Sequence, residues 1–158
     1  MYYIAICDDD NDFISYIKDI LLQAKNCDKE ESGFKIYEYY SGEDFIAHIK
    51  ENISYDLLIL DMDMEGMDGH EIAKIFRKRF PYSVLVFCSG VRPPTSLSFK
   101  SRPFRYLLKS YTDEEFIDEM REILVEVERT HEEPCLLGHY RNITIKVKRK
   151  NVIYIKIH

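Results

Sequence analysis

Four apolar residues, Leu57-Leu58-Ile59-Leu60, end abruptly in Asp61 and are followed by Met62-Asp63-Met64-Glu65-Gly66-Met67-Asp68-Gly69. An uninterrupted apolar run this short, closed by turn residues, predicts a strand buried on both faces. Strands of that kind belong to parallel sheets covered by helices on either side, where ligands bind beyond the carboxyl ends of the strands. Asp61 therefore stands where a reactive group is expected. An aspartate there can equally start a loop or cap the next helix, so the rest of the chain has to decide between the two.

The same alternation recurs along the chain. Tyr3-Ile4-Ala5-Ile6-Cys7 predicts a strand that ends in Asp8, Asp9 and Asp10. Three adjacent carboxylates repel one another, and a cation is their natural partner; a helix cap explains one or two of them but not all three. From about Asn11 the apolar residues Phe13, Ile17, Ile20, Leu21 and Ala24 fall on one helical face. Phe34 to Tyr40 alternates as a strand, and Ser41 caps a helix carrying Phe45, Ile46 and Ile49, in which His48 is expected at the surface without a partner. After the strand at about Tyr55 to Leu60, a helix with Ile72, Ile75, Phe76 and Phe80 runs to Pro81, its Lys74, Arg77, Lys78 and Arg79 read as a solvated face.

Ser83 to Cys88 is a fourth strand ending in Ser89-Gly90. Pro93, Pro94 and Pro103 crowd the next stretch, which predicts a short or irregular helix between Val91 and Pro103. Arg105-Tyr106-Leu107-Leu108 is a fifth strand ending at Lys109, and Thr112 to Glu115 has the T-x-x-E form of a capping box ahead of an amphipathic helix with Phe116, Ile117, Met120, Leu124 and Val127. Five β-then-α units predict an α/β fold with a doubly wound parallel sheet.

Its 158 residues, 46% of them hydrophobic, suit one domain with a short appendage. A formal net charge of -6 argues against general nucleic-acid binding by this chain. Cys7, Cys27, Cys88 and Cys135 show no metal-ligand spacing and read as free thiols of a reducing cytoplasm. No secretory leader or membrane-length apolar run is visible, so a cytoplasmic location without membrane contact is expected. Residues 130–140, with Pro134 and Gly138, read as a linker; residues 141–158 read as two strands, Ile143 to Val147 and Val152 to Ile157, forming a hairpin that needs a partner to be stable.

Side by side, the strands bring Asp8, Asp9, Asp61, Ser89 and Lys109 to one edge of the sheet. Carboxylates, a hydroxyl and an ammonium are what phosphoryl transfer onto a carboxylate requires, since that reaction depends on positioning and charge neutralisation. At these residues the chain resembles the receiver (CheY-like) domain of bacterial two-component response regulators, over about residues 1–129. The resemblance implies a flavodoxin-like (βα)5 fold with strand order 2-1-3-4-5 and a signalling switch rather than an enzyme. It implies Asp61 as phospho-acceptor, Asp9 and Asp61 as direct Mg2+ ligands, Asp8 as a ligand through water, and the backbone carbonyl of Asp63 as a further ligand. Ser89 would bond a phosphoryl oxygen, Lys109 would pair with the phosphate, and Tyr106 would be the switch aromatic. The implied partners are a sensor histidine kinase and a second copy, met through the fourth helix, fifth strand and fifth helix.

Residues 141–158 resemble the first strands of a LytTR-type DNA-binding domain, which implies a truncated transcriptional effector; DNA would be met only through the complete effector domain. Two departures stand out. Ser110 takes the place of the proline that usually follows the lysine through a cis bond, and a cis bond before a non-proline residue costs about 2.5–4 kcal/mol, so either the site carries that cost or the loop is trans. Glu65 takes the place of the usual proline after the acceptor. Two alternatives remain open at the level of sequence: a receiver used mainly as a phosphorylation-independent dimerisation module, and a haloacid-dehalogenase-like phosphatase, whose h-h-h-D-x-D motif Leu58 to Asp63 resembles.

Overall fold

The computed structural model describes residues 1–26, 32–51, 53–91, 93–131, 135–140 and 143–148. The elements in chain order are β1 (Tyr2–Cys7), α1 (Asn11–Lys25), β2 (Phe34–Tyr39), α2 (Gly42–His48), β3 (Leu57–Asp61), α3 (Gly69–Arg79), β4 (Val84–Ser89), α4 (Ser96–Lys100), β5 (Arg105–Leu108), α5 (Asp113–His131), β6 (Cys135–Tyr140) and β7 (Ile143–Lys148). The first five strands form one parallel sheet in the order β2-β1-β3-β4-β5. Both the flavodoxin-like architecture and the strand order are as expected.

Because side chains alternate along a strand, each central strand feeds two cores. Leu57 and Ile59 of β3, with Val84, Val86 and Cys88 of β4, face α1 and α5, where they meet Ile14, Ile17, Phe116, Met120 and Ile123. Leu58 and Leu60, with Leu85 and Phe87, face α2 and α3 and pack on Phe45, Ile72 and Phe76. All five residues of β3 are buried, which explains why the sequence there shows no polar alternation. The short helix in the proline-rich stretch is α4, five residues long. The capping box opens α5: the Thr112 N–H donates to Glu115 Oε2 at 2.7 Å, and the Glu115 N–H donates to Thr112 Oγ1 at 3.2 Å.

Three expectations need correction. Helix α5 runs on to His131 and Cys135–Tyr140 is a strand, so most of the stretch read as a linker carries regular structure. Strand β6 pairs antiparallel with β7, from Cys135 opposite Lys148 to Tyr140 opposite Ile143. Ile143–Lys148 thus has a partner strand on its N-terminal side. Gly138 suggested a break, but it lies within β6, opposite Ile145; Pro134 lies outside the described residues. The expected strand Val152 to Ile157 lies outside the described residues. His48 has a partner after all: its Nδ1 lies 2.8 Å from the Asp44 carbonyl oxygen. Among the described residues no helix is long and apolar enough to cross a membrane.

The third correction concerns Arg77, which is not on a solvated face. Its Nε donates to Ser101 O at 2.9 Å, its Nη1 to Phe80 O at 3.3 Å, Pro81 O at 3.0 Å and Ser83 O at 2.7 Å, and its Nη2 to Arg102 O at 3.1 Å. One guanidinium, whose five N–H groups fan out in a plane, thereby ties the end of α3 to the start of β4 and to the turn after α4. Burial pushes its pKa down to about 10, still far above neutrality. Arg77→Met keeps the stem and deletes these bonds; it should lower stability by on the order of 2–3 kcal/mol in urea unfolding, the cost of several carbonyls losing a charged donor.

Candidate functional site

The strand register builds the site. Cys7 pairs with Leu60, so Asp8 follows β1 beside Asp61, the last residue of β3. Asp61 pairs with Cys88, and Ser89 with Leu108, which sets Ser89 and Lys109 at the next two strand ends. The Lys109 N–H closes this edge by donating to Ser89 O at 2.8 Å. Asp8, Asp61 and Ser89 are 2%, 3% and 0% exposed, whereas Asp9 is at the surface. Carboxylate oxygens of Asp8, Asp9 and Asp61 all lie within 4.8 Å of one another.

The acidic triplet divides by role. Asp10 is the cap, its side chain accepting from the N–H groups of Asp12 at 2.9 Å and Phe13 at 3.2 Å. The Asp10 N–H in turn donates to Asp8 Oδ1 at 2.9 Å and fixes that carboxylate's direction. Asp8 and Asp9 are then left for the cluster.

Lys109 is the cluster's cation. Its Nζ lies 2.8 Å from Asp8 Oδ2 and 3.4 Å from Asp61 Oδ2, and 4.3 Å above the centre of the Phe13 ring. No cis peptide bond occurs among the described residues, so the Lys109–Ser110 bond is trans and the lysine still reaches both carboxylates. One ammonium faces three carboxylates, and two of these, Asp8 and Asp61, are buried as well. Burial, with the Asp8 charge behind it, pushes Asp61 up to about 6. Burial also raises Asp8. Burial works against the Lys109 ammonium, but the bonds to Asp8 and Asp61 outweigh it and hold its pKa above the ordinary value. Crowded hard oxygen donors with excess negative charge suit a divalent cation such as Mg2+, which needs only a few protein carboxylates and keeps several waters.

Asp63 is two residues beyond Asp61, and its N–H donates to Asp61 Oδ1 at 3.2 Å. Its side chain turns to the next strand end: Ser89 Oγ and the Gly90 N–H both donate to Asp63 Oδ2, at 2.9 and 2.7 Å. The sequence pointed only to the Asp63 backbone carbonyl and missed this carboxylate; the signal was the D-x-D spacing of Asp61 and Asp63. Gly90 and Phe13 were also missed, since a backbone N–H and a ring beneath a lysine leave no motif. Tyr106 is partly buried on β5, its ring 6.1 Å from that of Phe87 at 79°. Gly66 answers a local demand of the turn after Asp61: its φ is +91° and a Cβ there would lie 2.7 Å from Glu43 Oε1.

The raised pKa of Asp61 means that folding favours its protonated form. The stability it contributes is full below the ordinary 3.8 and is lost as pH rises through about 6. In metal-free protein at neutral pH, Asp61→Asn should therefore raise the unfolding free energy by on the order of 1–3 kcal/mol in thermal or urea melts. The gain should shrink as the pH is lowered towards 3.8.

A family model described as the response regulator receiver domain matches residues 4–121. Among solved structures, a CheY-like response regulator receiver domain protein from Methanospirillum hungatei superposes with a TM-score of 0.66 at 22% identity, covering 81% of this chain and 97% of that chain. A two-component response regulator from Clostridium difficile does so with a TM-score of 0.65 at 25% identity, covering 82% and 100%. The response regulator TrrA from Thermotoga maritima, solved in complex with Mg2+ and BeF, gives a TM-score of 0.62 at 24% identity, covering 78% and 99%. No curated protein matches the chain. With a model matching well over half its length and an acidic cluster at the carboxyl ends of its strands, the chain belongs to the receiver domain family of two-component response regulators.

Proposed function

We propose that this receiver accepts a phosphoryl group on Asp61 from a sensor histidine kinase and passes the event to a transcriptional output domain. The observation that carries the proposal is the position of Asp61: a buried carboxylate beside an acidic pair, with the ammonium of Lys109, the residue after β5, 3.4 Å away. In the transfer, an Asp61 oxygen attacks phosphorus and forms a P–O bond. The P–N bond of the donor phosphohistidine breaks, and the imidazole nitrogen leaves with the electron pair. Charge on the equatorial oxygens must be neutralised for this to proceed. Lys109 supplies one positive charge, and Ser89 supplies a hydroxyl donor. Mg2+ would be held by Asp9 and Asp61 directly, by Asp8 through water and by the Asp63 backbone carbonyl, and would supply the remaining charge neutralisation.

The phosphorylated state differs from the resting one in charge at a site whose hydrogen bonds run through Ser89, one residue from the loop to α4. A local electrostatic change of that kind biases a two-state element. Tyr106, packed on Phe87, would be the aromatic that follows Ser89, and a face of α4, β5 and α5 would then change partner, with homodimerisation one outcome. Residues 141–158 are read as the opening strands of a LytTR-like effector, through which alone DNA would be met, in the cytoplasm. The motif that resembles a phosphatase lies on the third strand, and the Asp63 side chain is directed to Ser89 and Gly90.

Incubation of the protein with acetyl phosphate and Mg2+ should give a single phosphoryl adduct by intact mass. Asp61→Asn and chelation of the metal should each abolish it. An unlabelled wild type, under conditions that label another receiver, would overturn the proposal. Retention of the adduct in Asp61→Asn would overturn the assignment of the acceptor.

A further inference from the structure

We propose that the Asp63 carboxylate is a built-in competitor of the incoming phosphoryl group, holding the Ser89 hydroxyl and the Gly90 N–H that the modified site needs and releasing them only when Asp61 is loaded. The inference rests on Asp61 being the acceptor. It starts from the convergence of two donors on one anionic oxygen: Ser89 Oγ at 2.9 Å and Gly90 N at 2.7 Å both point to Asp63 Oδ2. Two donors aimed at a single oxygen make an oxyanion cradle, and here the protein fills it with its own carboxylate.

The cradle and the acceptor share walls. A Cβ on Gly90 would lie 3.8 Å from Asp63 Oδ2 and 3.9 Å from Lys109 Cδ, so the carboxylate and the lysine stem flank one backbone position. The same lysine reaches Asp61 with its ammonium. Ser89 is fully buried, so its hydroxyl serves groups inside the site rather than bulk water. Asp63 is only partly buried, and turning its carboxylate outwards needs a side-chain rotation and no movement of β3.

A phosphoryl group on Asp61 brings at least one further negative charge to a place where Asp8, Asp9 and Asp61 already cluster around one lysine and the Asp63 carboxylate is bound to the next strand end. Like charges at short range repel strongly where burial reduces screening. The phosphoryl oxygens and Asp63 therefore cannot both hold Ser89 and Gly90. Asp63 forms no bond to phosphorus and takes no proton; it is a positioning residue that slows loading by keeping the cradle closed.

The test uses the full chain as wild type, Asp63→Ala and Asp63→Asn, the second keeping shape and a neutral acceptor oxygen. Folding of each is checked by its thermal melt. With acetyl phosphate and Mg2+, the intact-mass time course should show Asp63→Ala labelled on the order of tenfold faster than wild type, the fold-change of one charge-assisted hydrogen bond, and Asp63→Asn in between. Without metal or phosphate, the Gly90 amide proton of the wild type should resonate downfield and move upfield in Asp63→Ala. Equal labelling rates in all three proteins, slower labelling of the variants, or an unmoved Gly90 amide would overturn the inference. Absence of labelling in every protein, wild type included, would overturn the acceptor role of Asp61 and this inference with it, whereas a labelled wild type with unchanged Asp63 variants would overturn the inference alone.

Discussion

Lys109 holding Asp8 and Asp61 apart from each other's charge is the interaction on which the site depends. Two carboxylates at the ends of neighbouring strands, 2% and 3% exposed, are costly to bury, and a single ammonium 2.8 and 3.4 Å away offsets only part of that cost. The remainder appears as the raised pKa of Asp61. A buried ionic cluster left short of positive charge is poor design for stability and good design for capturing a cation and a transferable group.

That cluster is possible because the sheet around it is so completely apolar. Alternate residues of β3 and β4 fill separate cores on the two faces, and the strands end together, so the first polar groups of four strands meet at one rim. The helices keep the rim dry from the side: Phe13 of α1 lies under the Lys109 ammonium. Asp10 caps α1 and at the same time orients Asp8 through its own N–H, so the helix start and the acidic site are one piece of structure. On the far side, Arg77 gathers the carbonyls at the end of α3, the approach to β4 and the turn after α4. It is the anchor opposite the segment between Ser89 and α4 that would have to move in a switch.

Much of this was legible in the residues. The five strands, the capping box at Thr112 and the assembly of Asp8, Asp9, Asp61, Ser89 and Lys109 follow from periodicity and from the rule that such strands carry their chemistry at one end. What was misread has a common physical cause. Arg77 looked like one of four basic surface residues because charge says nothing about which carbonyls lie within reach of a guanidinium. His48 looked partnerless because its partners, the Asp44 carbonyl at 2.8 Å and the Asp44 carboxylate at 3.2 Å, come within reach only when a helical turn brings Asp44 alongside. Gly138 looked like a break because glycine marks turns more often than it sits inside a strand, yet here it stands opposite Ile145.

By itself the sequence determined the alternation of buried strands and amphipathic helices, and with it the one edge where acids, hydroxyl and lysine had to meet. These are properties of local period and of chain direction, and a parallel βα repeat leaves little freedom in either. Only the tertiary structure decided how the charges are shared. That the lysine sits between Asp8 and Asp61 with a trans bond to Ser110, that Asp10 serves the helix, and that Asp63 spans to Ser89 and Gly90 all depend on distances across strands. Such distances are set by register and packing, which no single stretch of sequence encodes.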